Sequence, residues 1–266
     1  MGYLNRRSNG PASGGHQGHG AAADIPGGLM VFQHGYTLGL ANSIVAAGAT
    51  VPLTFTITGP DNRPVTEYQV AHDKLLHLIA IRRDTTNFQH VHPVLGGDGT
   101  WSVPLDLRAA GEWRIFADFA PAGHEGSMTL GVDLAVTGMY EPQPLPPVMP
   151  IAEVDGYTVS LDGSLMPGAP AMLTFSVHKD DQPVTDLQPY LAAYGHLVAL
   201  RVGDLAYLHV HPDGEPGDGR TEPGPEIIFH ATAPSPGTYR LFLDFQHGGV
   251  VRTASFTAVA GTNAHS

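Results

Sequence analysis

The sequence of 266 residues contains no cysteine. Disulfide bonds, thiolate metal ligands and a cysteine nucleophile are therefore excluded. Lysine is nearly absent as well, since Lys74 and Lys179 are the only two, and the formal net charge at pH 7 is −12. A chain this acidic is a poor partner for nucleic acid or for an anionic membrane surface, and it attracts cations instead.

Long apolar runs and familiar catalytic motifs are also missing. No stretch of about 18 consecutive apolar residues occurs, so the sequence predicts no membrane-spanning helix. It has no Gly-x-Ser-x-Gly turn and no phosphate-binding glycine loop, and no glutamate beside the histidine motifs is placed to act as a base. We therefore expect a protein that is not an enzyme.

Histidine is the residue in excess, with fifteen copies, and it marks an internal repeat. The tetrapeptide His-Val-His-Pro at positions 90–93 recurs at positions 209–212, an offset of 119 residues. His77 recurs at the same offset as His196. A repeat of this length indicates two copies of one domain rather than a solenoid, whose units are about 20–50 residues long.

Each copy is predicted to be a β-sandwich. The apolar runs are short, alternate with polar residues and are separated by glycine and proline, and seven or eight such runs in about 110 residues favour an immunoglobulin-like fold. One helical turn is expected in the segment 67–74. The sequence therefore predicts an all-β protein of two tandem immunoglobulin-like β-sandwich domains, divided as follows: 1–28 a disordered tail rich in histidine and glycine, 29–138 the first repeat, 139–150 a stiff proline-rich linker, 151–260 the second repeat, and 261–266 a short tail.

The histidine motifs predict a metal site in each repeat. Side chains two positions apart on a strand lie on the same face, so each His-Val-His doublet directs two imidazoles to one side. Three imidazoles and one carboxylate are donors that zinc and Cu(II) accept. Whether the two clusters lie apart or face each other across the linker stays open. The candidate metal ligands are His77, His90, His92 and Asp118 in the first repeat, and His196, His209, His211 and Asp244 in the second.

A structural role for the same residues is the competing interpretation. The histidines can form a hydrogen-bonded cluster without metal, and the two aspartates can pair with Arg114 and Arg240, which share their strand faces. The remaining histidines are weaker candidates: His124 and His247 follow the strands that carry the aspartates, whereas His34, His72, His178 and His230 have no counterpart in the other repeat and are expected to be solvated or singly hydrogen-bonded.

Several segments resemble actinobacterial secreted or membrane-anchored proteins of unassigned function, and the resemblance covers residues 27–260. More loosely, each half is similar to the YtkA-like and CopC-like immunoglobulin-like domains that bacteria use outside the cytoplasm, some of them in copper handling. This resemblance implies a histidine-based copper site. It also implies an N-terminal hydrophobic anchor, and the sequence has no such anchor. The segments that carry it are 73–79, 88–93, 116–119, 194–200 and 208–212.

Together these observations lead to an expected function. We expect the protein to bind a divalent transition metal, copper first and zinc second, through a histidine cluster in each repeat. It would buffer the metal or deliver it to a protein partner, and it would act outside the cytoplasm, secreted or anchored to the outer face of the cell membrane. The alternative is a non-catalytic interaction or sensor ectodomain whose histidines are structural.

Overall fold

A computed structural model describes residues 25–208 and 210–261. All regular structure in these ranges is β-strand, and no helix in them has the length and hydropathy of a membrane span. The helical turn expected in the segment 67–74 is wrong, because a short strand and tight turns occupy it. Each repeat is an immunoglobulin-like β-sandwich, as predicted.

The strands of the first repeat form two sheets, in the spatial orders β1-β2-β4-β9-β8 and β3-β11-β10-β6-β7, with β5 added to β10. Their bounds are Phe32–Gln33 (β1), Tyr36–Leu40 (β2), Ile44–Ala46 (β3), Val51–Thr58 (β4), Tyr68–Gln69 (β5), Leu76–Arg82 (β6), Gln89–Val91 (β7), Val94–Leu95 (β8), Thr100–Leu105 (β9), Gly111–Pro121 (β10) and Met128–Thr137 (β11).

The second repeat also has two sheets, in the orders β12-β13-β14-β18-β17, with β15 added to β14, and β16-β19-β20. The strands are Ile151–Val154 (β12), Tyr157–Asp162 (β13), Pro170–Lys179 (β14), Gln182–Pro183 (β15), Gly195–Arg201 (β16), Val210–Pro212 (β17), Glu226–Thr232 (β18), Gly237–His247 (β19) and Val250–Ala260 (β20).

Two strands of the first repeat show how differently its faces are covered. In β4, Leu53, Phe55 and Ile57 are buried and the residues between them are not, because one face meets the core and the other meets solvent. In β6, all seven residues are buried. One face of β6 packs in its own sandwich, and the other packs against the second repeat.

The two repeats are held together by their facing sheets. A separate apolar cluster lies between them, and its aromatic members pair across the boundary. The ring of Phe88 stacks on Phe242 with centroids 4.1 Å apart, and Phe116 meets Tyr207 at 5.8 Å. The other members of the cluster are Ile79, Ile81, Val198, Leu200 and Leu205.

Residues 139–150, predicted as the linker, contain no strand and are exposed.

The segment just before β1 is bound to the first repeat. The amide of Gly28 donates to the carbonyl oxygen of Thr129 at 2.8 Å, and the amide of Gly131 donates to Met30 at 2.9 Å. Gly28 has a φ of +75°, and a Cβ at this position would lie 2.5 Å from the Phe116 ring. Gly28, which the sequence assigned to the disordered tail, is therefore bound to the first repeat, while residues 1–24 lie outside the described part of the chain.

Equivalent arginines of the two repeats differ in how well they are satisfied. Arg114 donates to Asp133 at 2.9 Å and to the carbonyl oxygen of Gly28 at 2.6 Å. Arg240 is 5% exposed and donates to the hydroxyl of Thr257 at 2.8 Å. Burial lowers the pKa of Arg240, which means that its charge is poorly compensated.

This difference predicts opposite effects of the same substitution. Arg114→Met should lower the free energy of unfolding by about 2 kcal/mol, because buried acceptors lose their donor. Arg240→Met should be neutral or stabilising, because it removes a buried, under-paired charge and keeps the apolar volume. Urea unfolding of both variants measures the contrast. Equal destabilisation by the two substitutions would contradict it.

Candidate metal centre

Histidines from both repeats meet at the boundary between the two sandwiches. One ring nitrogen from each of His77, His90 and His196 lies within 4.8 Å of the other two. His77 is on β6, His90 is on β7 beside it, and His196 is on β16 of the second repeat. The sequence predicted one cluster in each repeat, whereas the structure joins these histidines in a single group.

The period of the strands explains why the group forms at this boundary. His77 shares a face of β6 with Ile79, and His196 shares a face of β16 with Val198, because residues two apart point to the same side. Ile79 and Val198 both belong to the apolar cluster between the repeats. Burial of these faces against each other therefore also brings the two imidazoles together.

The outer hydrogen bonds of two imidazoles fix where their protons are. Nε2 of His77 is 3.0 Å from the carbonyl oxygen of Ala71, and a carbonyl can only accept, so this nitrogen carries the proton. Nδ1 of His90 donates to the carboxylate of Asp244 at 2.7 Å. The other carboxylate oxygen of Asp244 accepts from the hydroxyl of Thr253. The inner nitrogens, Nδ1 of His77 and Nε2 of His90, therefore bear lone pairs when the rings are neutral.

These two inner nitrogens face each other at 3.1 Å. Two lone pairs at this separation repel unless a cation lies between them, and the cation can be a proton or a metal ion. Two nitrogens bound to one tetrahedral zinc ion are about 3.4 Å apart, given Zn–N bonds of about 2.0–2.1 Å. The spacing of His77 and His90 is close to this value.

Two further imidazole nitrogens are buried without a hydrogen-bond partner among the described residues: Nδ1 of His196 and Nε2 of His92. The His196 ring lies 4.6 Å from His90 and stacks on His77 at 5.5 Å between centroids. The His92 ring is 4.9 Å from that of His90. Buried polar atoms without a partner are rare in folded proteins, and imidazole nitrogens in this state are suited to coordinate an ion.

Burial keeps the imidazoles of His77, His92 and His196 neutral. The pKa of His77 is lowered to about 4 and that of His92 to about 3, mainly by desolvation and in part by the neighbouring histidines. The pKa of His196 is also well below its ordinary value for the same reason. Neutral imidazole is the form that binds metal, so these groups need not lose a proton at pH 7 before binding.

The lowered pKa values predict acid sensitivity of the metal-free protein. Between about pH 6.5 and 4 these histidines bind protons in the unfolded chain that they do not bind in the folded chain, so their contribution to the free energy of unfolding falls as the pH falls through this window. Urea midpoints in EDTA from pH 7.5 to 5 measure the slope. His92→Leu should flatten it, and a slope that this variant leaves unchanged would argue against buried neutral histidines.

The two candidate aspartates have different environments, and neither belongs to the group of three nitrogens. Asp244 accepts a hydrogen bond from Nδ1 of His90, the ring nitrogen that does not face His77. Asp118 is half-buried, accepts a hydrogen bond from the hydroxyl of Thr129 at 3.2 Å, and has its pKa raised to about 6 by desolvation. The alternative interpretation, in which the two aspartates pair with arginine, is wrong for the described residues, because Arg114 binds Asp133 and Asp244 binds His90.

Other histidines lie outside the group. His209 lies outside the described residues. His211 is exposed on β17 and pairs in register with His230 on β18. His247 hydrogen-bonds the hydroxyl of Tyr157 and lies 3.0 Å from a carboxylate oxygen of Asp186.

Sequence reasoning missed His72, whose ring lies 6.1 Å from both His77 and His196. It lies in the turn before β6 with a φ of +47°, and it has no counterpart in the second repeat, so the repeat gave no signal for it. A cavity of about 260 Å³ adjoins the group, and its lining includes His72, His77, Asp118, His196 and His211.

Comparison with known proteins gives one family match. The profile of a family described as "Domain of unknown function (DUF8832)" matches residues 31–136 and again residues 152–262. Curated proteins yield no match.

Solved structures match at low similarity. They include the adhesin FdeC of Escherichia coli, with 15% identity, a TM-score of 0.27 and coverage of 90% of this chain. The adhesin InvE of Yersinia pseudotuberculosis has 14% identity, a TM-score of 0.26 and coverage of 84% of this chain. The D0-D1 domain of intimin matches with 13% identity and a TM-score of 0.25 over 85% of this chain and 97% of its own. The chain spans 66% of the FdeC chain and 58% of the InvE chain.

Proposed function

The chain belongs to the DUF8832 family, whose domain it contains twice, and we propose that its function is to bind one divalent transition metal ion between the two copies. The ligands are His77, His90 and His196, with His92 next to them as a fourth donor. The protein buffers the ion or delivers it to a partner outside the cytoplasm.

The proposal depends on one observation, the inner nitrogens of His77 and His90 at 3.1 Å with their outer nitrogens already engaged. A histidine that binds metal through one ring nitrogen usually donates its other N–H to a carboxylate or a backbone carbonyl. This hydrogen bond fixes the tautomer and the orientation of the ring. Asp244 and the carbonyl of Ala71 fill these two roles.

The chemistry of the donors favours copper first and zinc second. Imidazole suits both Cu(II) and Zn(II), and four imidazole nitrogens, with His92 as the fourth donor, match the four-coordinate geometry that either ion accepts. The net charge of −12 favours the approach of cations. The resemblance to extracytoplasmic copper-handling domains supports copper and a location outside the cytoplasm.

Metal analysis of the full chain, purified without chelator or metal-affinity steps, tests the proposal. We expect one equivalent of copper or zinc to survive gel filtration against a weak chelator, and the Cu(II) form to show nitrogen hyperfine coupling in its EPR spectrum. A chain that retains no metal after reconstitution with either ion would overturn the proposal and leave a shared proton as the cation between His77 and His90.

The carboxylate behind His90 should tune the affinity. Asp244→Asn keeps the size of the side chain but removes the charge that orients and polarises the imidazole, so the metal affinity should fall about 10- to 100-fold. Asp186→Asn is the matched control, because it alters another aspartate beside a histidine, at 3.0 Å from His247, in a position that is 80% exposed. Competition titrations with a chromogenic chelator compare the two. An equal loss in both variants would contradict the assigned role of Asp244.

A further inference from the structure

A second set of metal-binding side chains lies on the outer face of the second repeat. His211 on β17 and His230 on β18 are direct cross-strand partners, and Met172 on β14 is the partner of His230 on its other side. All three are exposed. Residues paired in this way point to the same face of a sheet, so the three strands present two imidazoles and a thioether in one row.

The spacing of the two histidines suits chelation of one ion. Directly opposed residues of an antiparallel pair have Cβ atoms about 4.5–5.5 Å apart, which lets both imidazoles reach a common point above the sheet. A carboxylate oxygen of Asp213, which follows β17, lies 3.6 Å from Nε2 of His230. The face thus offers two nitrogens and one oxygen, a donor set that Cu(II) accepts.

The thioether of Met172 favours copper over zinc as the ion bound at this face. Zinc sites in proteins use nitrogen, thiolate and oxygen donors, whereas Cu(I) also binds thioether sulfur. Met172 is 57% exposed, although methionine usually fills gaps in cores. Its place beside His230 gives the row a donor that is useful to copper alone.

We propose that His211, His230 and Asp213 form a surface copper site, with Met172 as an additional ligand for Cu(I). The site is separate from the buried group of His77, His90 and His196. His211 also lines the cavity that reaches His77 and His196, so an ion at the surface site lies at the edge of that cavity.

Copper titration of full-length variants tests the surface site. His211→Ala and His230→Ala should each weaken one Cu(II) equivalent by about tenfold or more, and the double variant should lose little beyond either single one, because a chelate fails when either arm is removed. His178→Ala is the matched control, since His178 lies on the same face of β14 as Met172, opposite Thr158 and Pro183, and has no histidine partner. Met172→Leu should weaken Cu(I) and leave Cu(II) unchanged.

The outcomes separate this site from the buried one. His77→Ala should leave the surface equivalent intact, and His230→Ala should leave the buried equivalent intact. Additive small losses in the two surface variants, or an equal loss in His178→Ala, would mean adventitious binding by single histidines and would overturn the surface site. A wild-type chain that binds Cu(II) at the surface equivalent alone, with no buried equivalent for His77→Ala to remove, would overturn the function proposed above and leave the surface site standing.

Discussion

His77→Ala and His196→Ala, one substitution in each repeat, are each expected to abolish the tightly bound metal equivalent. Two independent clusters would lose one of two equivalents when one repeat is altered, which is the result that the sequence alone predicts. A single ion held by both repeats is lost completely in either case. Elemental analysis after equilibration against a weak chelator distinguishes these outcomes, and we expect the affinity to fall by at least about 100-fold.

The energetic reason for this large effect is the burial of the donors. Removing one imidazole deletes a buried nitrogen donor, so the ion loses one of the bonds that offset its transfer from water into the interface. Metal should also stabilise the wild-type protein, by about 2.7 kcal/mol at a free concentration 100 times the dissociation constant, and this gain should vanish in both variants.

His124→Ala is the control for the first prediction. His124 is a partly exposed histidine of the first repeat that follows the strand carrying Asp118, and its Nδ1 has only a long contact of 3.5 Å to the carbonyl oxygen of Gly126. The variant should bind metal as tightly as the wild type. Retention of half of the metal in His77→Ala would mean that each repeat holds its own ion.

Much of the secondary structure could be predicted from local patterns. The alternation of apolar and polar residues in 51–58 is typical of a half-buried strand, and the structure has a strand with these bounds. Short strands without a pattern of their own were missed, such as Ile44–Ala46, which pairs in parallel with β11. Three residues are too few for a periodic signal, and tertiary packing decides their conformation.

The site could be predicted only in part, because its geometry depends on how the repeats pack. The His-Val-His motif identified His90, and the repeat identified His77 and His196. That they meet depends on β6 being covered on both faces, and the sequence carries one sign of this in the unbroken apolar run 78–81. His72 and His230 have no counterpart in the other repeat, so a search guided by repetition assigned them no function.

The packing between the repeats should therefore control metal binding from a distance. Phe242 is 3% exposed and stacks on Phe88 with centroids 4.1 Å apart, so Phe242→Ala should lower the free energy of unfolding by about 3–5 kcal/mol. It should also weaken metal binding by at least about tenfold, because His90 and His196 are held together only through this interface. Phe175→Ala removes a fully buried ring from the core of the second repeat and serves as the control.

The two variants should differ in their solution shape and not only in stability. Small-angle scattering should detect separation of the repeats in Phe242→Ala under conditions where it is still folded, whereas any Phe175→Ala protein that folds should keep the repeats in contact and its metal affinity unchanged. If the repeats separate in Phe242→Ala and the metal affinity is unchanged, the interface does not position the histidines. The ion would then have to be held by donors of one repeat, and a shared interdomain site would have no structural basis.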